Sequence, residues 1–486
     1  MPILSKAPLT AVDNNESVAI AALQQSFARQ KNAFSANRNP SLAQRRERLE
    51  VLMGMMMSNR ARIGDALNSD FGTHPKHASD LIEVLGVVGR AQYVLEHLEE
   101  WMQPSVRDTD SGMYGNAQAY VEYQPKGVIG NLVPWNFPFD LSVGPMIEML
   151  AAGNRVIVKP SEYTPACSAL LHEMVAAAFD PDLVDVAVGG VGLAEAFSAM
   201  PWDHLLYTGS PNVGRRVMAA AAPNLTPVTL ELGGKCPAVL TPGSVSAANV
   251  ESIIGTKMIK NGQMCVSVDY ALVSRGDLAA FVDEAKAFVA KSSEDYTTGE
   301  NCTGMISARH QARIAGMLEE ARERKSQIAT LGSDPSADDE ARRMPISLVI
   351  DPDDDLAIMQ EEIFGPIIPV VPYDNLDEAI ARINAGERPL ALYVFGDNQS
   401  EIDRVVNETS SGGVAINTCA VQAALPSLGF GGSGNSGMGR HHGIQGFYEF
   451  SNPRGMFKRG EGDMIGAFYD HEKGSALVEA ALSEGH

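Results

Sequence analysis

Residues 127–210, GVIGNLVPWNFPFDLSVGPMIEMLAAGNRVIVKPSEYTPACSALLHEMVAAAFDPDLVDVAVGGVGLAEAFSAMPWDHLLYTGS, decide the fold. Short β-branched runs (GVIGNLVP, RVIVKP, VDVAVGG, HLLYTGS) alternate with PMIEMLAAG and an alanine-rich helical stretch around Ala169–Ala178. Runs of this length without polar alternation read as buried strands, and strands alternating with helices wind into a parallel sheet with crossover helices. An α/β fold is therefore predicted.

Residues 1–110, upstream, read as a helical layer. Ser41 followed by Gln44 makes a capping box, and Leu49, Leu52, Met53, Met56, Ile63 and Leu67 recur at helical spacing. That pattern places Met55, Met56 and Met57 in the core. Leu81, Leu85, Val88, Ala91 and Leu98 extend the layer, which is expected to end near Pro104. A polar stretch with glycines, residues 107–125, reads as a hairpin. Downstream of Leu240, helical stretches (FVDEAKAFVAK, QARIAGMLEEARERK) alternate with strand candidates such as ALVS. GSDPSADDEARRMP and DPDDD read as solvated loops, and DPDDD lacks the glycine and downstream Glu of a calcium loop. The terminal GSALVEAALSEGH reads as one short helix.

Composition narrows the function. A chain of 486 residues is long enough for about three units. It has 45% hydrophobic and 20% charged residues, as a globular protein does. Its 38 Lys and Arg against 60 Asp and Glu leave a net charge of −22, which repels nucleic acid and anionic membrane surfaces. Five cysteines without a C-x-x-C pattern describe neither a disulfide framework nor a zinc site, so a reducing compartment is expected. The opening MPILSKAPLTAVDNNE lacks the basic and apolar segments of a leader, and a cytoplasmic location is the expectation.

Two groups of residues carry chemistry. In the first, Lys159 and Glu162 follow a strand, where a lysine can donate to a ribose hydroxyl and a carboxylate can accept from one. HLLYTGSPNVGRR then reads as a strand, a turn from Gly209 to Gly214 and a helix whose N-terminus suits an anion. It is not a P-loop, because Arg215 and Arg216 replace the required Lys and Ser/Thr. Gly432, Gly434 and Gly437 satisfy G-x-G-x-x-G but lack the strand and helix of a dinucleotide fingerprint, and read as a tight loop. In the second group, Cys265 follows a glycine turn as a candidate nucleophile. Glu231 beside two glycines suits a general base, and Asn136 between prolines suits an oxyanion donor. Cys167, Cys236, Cys302 and Cys419 read as inert buried thiols. His441 and His442 read as surface residues rather than metal ligands, and no metal is expected.

Taken together, PWNFP, RVIVKPSE, TGSPNVG, LELGGK, NGQMC, EEIFGP and LGFGGSGNSGMG resemble, in order and spacing, the aldehyde dehydrogenase superfamily over residues 15 to 456. The wording around them is most similar to its class 3 and coniferyl aldehyde dehydrogenase branch. The resemblance implies a Rossmann-type dinucleotide-binding domain (1–106 and 126–231), an α/β catalytic domain (232–440), a small β oligomerisation flap (107–125 and 449–460) and a tail (461–486). It also implies a homodimer or a dimer of dimers. By the same resemblance Cys265 attacks the aldehyde, Asn136 and the Cys265 N–H hold the oxyanion, and Glu231 activates water to hydrolyse the thioester. Trp135, Lys159, Glu162, Gly209, Ser210, Gly214, Leu232, Glu362 and Phe364 would meet the cofactor, and Phe137, Leu141 and Phe430 the substrate.

The implied function is NAD(P)+-dependent oxidation of an aromatic (such as coniferyl) or medium-chain aldehyde to the acid. NAD+ is favoured because Glu162 repels a 2′-phosphate. Four positions depart from the family pattern: Met264 before the nucleophile, Cys236 after GGK, Gln422 where class 3 sequences carry histidine, and Asp140 where the substrate tunnel is usually apolar. Three rivals predict other behaviour: a coenzyme-A-acylating enzyme, which does not need Glu231; a non-catalytic scaffold; and a cofactor-independent thioesterase, which leaves the nucleotide motifs unexplained.

Overall fold

A computed structural model describes residues 14–291, 294–335, 339–461 and 464–484. The first thirteen residues of MPILSKAPLTAVDNNE, part of the loop GSDPSADDEARRMP and the last two residues lie outside them. The chain opens with helices Asn14–Ala36, Leu42–Ser58 and Arg60–Phe71. The Ser41 and Gln44 capping box is present in both directions. The buried Arg45 reaches from the second helix to the carbonyl of Ala151 at 2.9 Å and to that of Pro40 at 3.1 Å.

Two details of the helical layer differ from expectation. Met55 and Met56 are buried, but Met57 is exposed, because three consecutive residues span about 200° of a helix and cannot share one face. Ser79–Gly86 forms a π-helix leading into the helix Val87–Trp101. The wider turn shifts the apolar stripe onto Val84, Val87, Ala91, Val94 and Leu98, leaving Leu81 and Leu85 exposed.

The strands are β1 (Ser105–Arg107), β2 (Gln118–Pro125), β3 (Val128–Leu132), β4 (Arg155–Lys159), β5 (Val184–Val186), β6 (His204–Gly209) and β7 (Val228–Leu232). They continue as β8 (Pro237–Leu240), β9 (Tyr270–Ser274), β10 (Gln327–Leu331), β11 (Ile346–Ile350), β12 (Ile367–Tyr373), β13 (Ala391–Phe395), β14 (Gly413–Ile416), β15 (Gly437–Met438) and β16 (Ser451–Lys458).

They form three sheets. The first has the order β15-β7-β6-β3-β4-β5, parallel except at β15. The second is β10-β11-β12-β9-β8-β13-β14, parallel except at β10. The third is the antiparallel β1-β2-β16, in which β16 pairs with β2 from Ser451 opposite Pro125 to Lys458 opposite Gln118. All five residues of β3 and of β4 are buried, as strands covered on both faces require. The chain enters the first sheet at β3, builds outward through β4 and β5, and returns on the other side through β6 and β7. The direction of winding therefore reverses between the parallel strands β3 and β6, which opens a crevice at their carboxyl ends.

Candidate active site

The segments that enter this crevice follow from the topology. Pro134, Trp135 and Asn136 leave the end of β3, Gly209 and Ser210 leave β6, and Glu231 and Leu232 end β7. From the second sheet come the turns that precede strands, with Cys265 before β9 and Glu362 and Phe364 before β12. These residues line one cavity of about 610 Å³, together with Phe137, Leu141 and Phe430.

Cys265 is held by its neighbours' backbone. Gln263 donates to the carbonyls of Lys260 (2.8 Å) and Gly304 (3.0 Å) and accepts from the N–H of Ile306 (2.9 Å). Lys260 and Asn261 sit at φ 52° and 53°, a conformation that costs about 1–3 kcal/mol for a residue with a side chain and persists where packing over-determines it. Behind Cys265, the Cys236 thiol donates to the Cys265 carbonyl at 3.3 Å and accepts from the Ala391 N–H at 3.3 Å. Cys236 is thus an inert partner, as read from the sequence. Burial, with Glu362 and Glu231 nearby, pushes the Cys265 thiol up to about 12.

Glu231 lies in β7 between Thr208 of β6 and Gly437 of β15. The loop carrying Gly432, Gly434 and Gly437 is not a fingerprint. It presses its backbone against β7, where a side chain at Gly437 would collide with Leu230. Glu231 is buried, and neither carboxyl oxygen has a hydrogen-bond partner among the described residues. Burial raises its pKa well above the carboxylate range, Arg440 opposes that shift and Glu449 adds to it. An unpaired buried carboxyl costs free energy, which makes Glu231 a candidate for chemistry.

The Glu362 carboxyl lies directly over Gly233, close enough that a Cβ there would sit 2.5 Å from its Cδ. Burial first, then Asp269, pushes Glu362 up to about 8. Its loop is clamped by Lys235, whose Nζ bonds to Asp269 and to the carbonyls of Ile358 (2.7 Å) and Glu361 (2.9 Å). Asp269 in turn accepts from the Ile363 N–H at 2.8 Å. Phe364, at φ 51°, meets the Trp135 ring edge-on at 5.3 Å.

The nucleotide motifs are only partly in the cavity. Lys159 is level with Leu132 across β3 and β4, is buried, and pairs with Glu162 at 3.2 Å. Neither lines the cavity. Ser210 caps the helix Pro211–Ala221, accepting from the Val213 N–H. The helix thus begins at Pro211, so Gly214 belongs to its first turn rather than to the preceding loop. It packs against Leu232, 2.8 Å from where its Cβ would lie, and does not reach the cavity. A nicotinamide cofactor fits what is present. The cavity runs from Cys265 past Glu362 and Phe364 to the capped helix, and the buried Thr208 hydroxyl on its wall lacks a partner.

His441 and His442 are a correction. They are buried and line the cavity, because His441 pairs with Phe430 through its backbone N–H (2.9 Å) and carbonyl (2.7 Å). Arg90 and Asp140 line it too. Asp140 was visible in the sequence as a departure, whereas Arg90, in a helix remote in sequence, gave no signal.

Residues 8–455 match the model of the aldehyde dehydrogenase family. The chain is 41% identical over 437 residues to a probable coniferyl aldehyde dehydrogenase of Caulobacter vibrioides, covering 89% of this chain and 90% of that one. It is 36% identical to the dimeric NADP-preferring aldehyde dehydrogenase of Rattus norvegicus, covering 90% and 94%. Its fold superimposes on Staphylococcus aureus AldH with a TM-score of 0.89 at 31% identity, covering 95% and 99%. Among the described residues no helix is long and apolar enough to cross a membrane. The chain therefore belongs to the aldehyde dehydrogenase family, enzymes that oxidise aldehydes with NAD(P)+.

Proposed function

We propose that this enzyme oxidises an aromatic aldehyde of the coniferyl type to its acid, with Cys265 as nucleophile, Asn136 as oxyanion donor and Glu231 as hydrolytic base. The observation that carries the reading is the convergence of these three residues with Glu362 and Phe364 on one cavity. The aldehyde carbon is attacked by the Cys265 sulfur while the thiol proton passes to a neighbouring carboxylate. The new oxyanion accepts from the Asn136 amide and the Cys265 N–H. Bound NAD(P)+ would supply the oxidation by accepting a hydride from the reacting carbon. The resulting Cys265 thioester is opened by water that gives its proton to the Glu231 carboxylate, and the acid leaves with the thiol restored. Burial raises the Glu231 pKa above the ordinary carboxylate value, which makes that carboxylate a stronger base for the water proton than an exposed one.

Within the same proposal, Lys159 and Glu162 bind the adenosine ribose and the Glu162 carboxylate favours NAD+. The ranges 1–106 and 126–231, 232–440, and 107–125 with 449–460 serve cofactor binding, catalysis and assembly. Strands β1 and β16 are the open edges of the small sheet, and exposed Val106 and Phe457 beside those edges support dimerisation through it.

The test is absorbance of reduced nicotinamide with a panel of aromatic and aliphatic aldehydes, NAD+ and NADP+ in parallel and coenzyme A absent. Acid formation, fastest with aromatic aldehydes, is expected. Activity only when coenzyme A is added would assign the acylating reaction instead.

A further inference from the structure

On the cavity wall is a cluster the reaction does not use. The helix Asp140–Ala151 carries Asp140, Gly144 and Glu148 four residues apart, on one face. Arg90 lies along that face, and a Cβ on Gly144 would stand 2.7 Å from its Cζ, so only glycine leaves room for the guanidinium. Arg90 Nε is 3.8 Å from Glu148, whose carboxylate also accepts from the Gly443 N–H at 3.1 Å. Nη1 meets His442 Nε2. Arginine only donates, so that ring nitrogen accepts and Nδ1 carries the proton.

The cluster is left with unmet capacity. Arg90 Nε and Nη2, both ring nitrogens of His441 and His442 Nδ1 are buried without a hydrogen-bond partner among the described residues, on side chains more than nine-tenths buried. The Asp140 carboxyl makes no hydrogen bond to any described residue, and Arg90, Asp140, His441 and His442 all line the cavity. Both histidines are neutral, since burial first and then Arg90 push their pKa values far down, to about 3 for His441.

These groups select a chemistry. A carboxylate on the substrate would face the Asp140 carboxyl, an ammonium would face Arg90, and an alkyl group would leave every donor and acceptor unpaired. A neutral hydroxyl satisfies both kinds at once. The same wall is aromatic, since Phe430 stacks on His442 at 5.4 Å and 27°, and Phe137 lines the cavity as well.

We infer that Arg90, Asp140, His441 and His442 form a subsite for a ring hydroxyl of an aryl aldehyde, which donates to Asp140 and accepts from the Arg90 and histidine N–H groups. This rests on the aldehyde-oxidising reading of the same cavity and assigns to four of its residues the ring hydroxyl that a coniferyl-type aldehyde carries.

The test compares kcat/KM for 4-hydroxycinnamaldehyde and cinnamaldehyde, which differ only in that hydroxyl. The wild type is expected to prefer the hydroxylated compound by about 10-fold or more, because a site built to bond a hydroxyl rejects the analogue without it. Asp140→Leu should bring the ratio to about 1, while Asp140→Asn, which keeps an acceptor oxygen, should retain a clear preference. His441→Phe tests the same ratio through a different partner if Asp140→Leu does not fold. A wild-type ratio near 1 with both compounds oxidised, or a ratio unchanged in Asp140→Leu, overturns the subsite and leaves the general function standing. Oxidation of neither compound in the presence of NAD(P)+ overturns the functional reading and the subsite with it.

Discussion

Replacing Gly233 by alanine tests how closely the cavity is tuned. The backbone at Gly233 passes under the Glu362 carboxyl, and a Cβ there would lie 2.5 Å from Glu362 Cδ, where ordinary van der Waals contact begins at 3.4 Å. The carboxyl would have to recede by about 1 Å. It is the end of a side chain and can move, so stability should change little. Its position over the cavity, however, is lost. A misplacement of about 1 Å at a positioning group costs on the order of 100-fold in rate, equivalent to about 2.7 kcal/mol of transition-state stabilisation. The assay is steady-state kcat/KM for one aldehyde in wild type, Gly233→Ala, Glu362→Ala and the double variant, with thermal melting of each. If the loss arises from displacing Glu362, Gly233→Ala should cost about 100-fold in the wild-type background and almost nothing once Glu362 is already truncated. An unchanged kcat/KM in Gly233→Ala, or an equal loss in both backgrounds, would refute the argument.

Other expectations follow from the same geometry. Cys265→Ala should abolish oxidation while NAD+ binding, followed by protein fluorescence, persists; substantial remaining dehydrogenase activity would remove Cys265 as nucleophile. In Glu231→Gln, rapid mixing should show one burst of reduced nicotinamide and then a stall at the thioester, and normal steady-state turnover would sink the assigned base. The buried Glu148 is pushed up to about 7 from an ordinary 4.5, by burial against the opposing pull of Arg90. Its folded form holds a proton that the unfolded chain releases, so its contribution is fully present below about pH 4.5 and is lost as pH rises to about 7. The loss is on the order of 3 kcal/mol. Urea melts should therefore show the wild type losing stability relative to Glu148→Gln across that window, and parallel curves would contradict it.

Much of this was legible in the primary sequence for a local reason. The run 127–210 could only be strands buried on both faces joined by helices, and Ser41 with Gln44 marked a helix start through bonds that span three residues. Cys265, Glu231 and Asn136 stood out because glycines and prolines beside them announce unusual backbone. All three line one cavity. Burial was less legible. The π-helix at Ser79–Gly86 moved an apolar stripe that ordinary helical spacing places on Leu81 and Leu85. His441 and His442, polar and next to a glycine-rich loop, read as surface residues and are instead buried, His441 paired with the Phe430 backbone and His442 stacked on the Phe430 ring.

The sequence by itself determined the alternation of strands and helices and singled out Cys265, Glu231 and Asn136 as candidates, because each signal depends on residues within a few positions of one another. Tertiary structure alone decided which strand ends share a crevice, that Gly214 packs against Leu232 rather than opening to a ligand, and that Arg90 lies over Gly144 beside Asp140 and His442. The physical reason is that exposure, and with it pKa and unmet hydrogen-bonding capacity, is set by what the rest of the chain packs against a side chain. For Arg90 and His442 that partner lies 352 residues away.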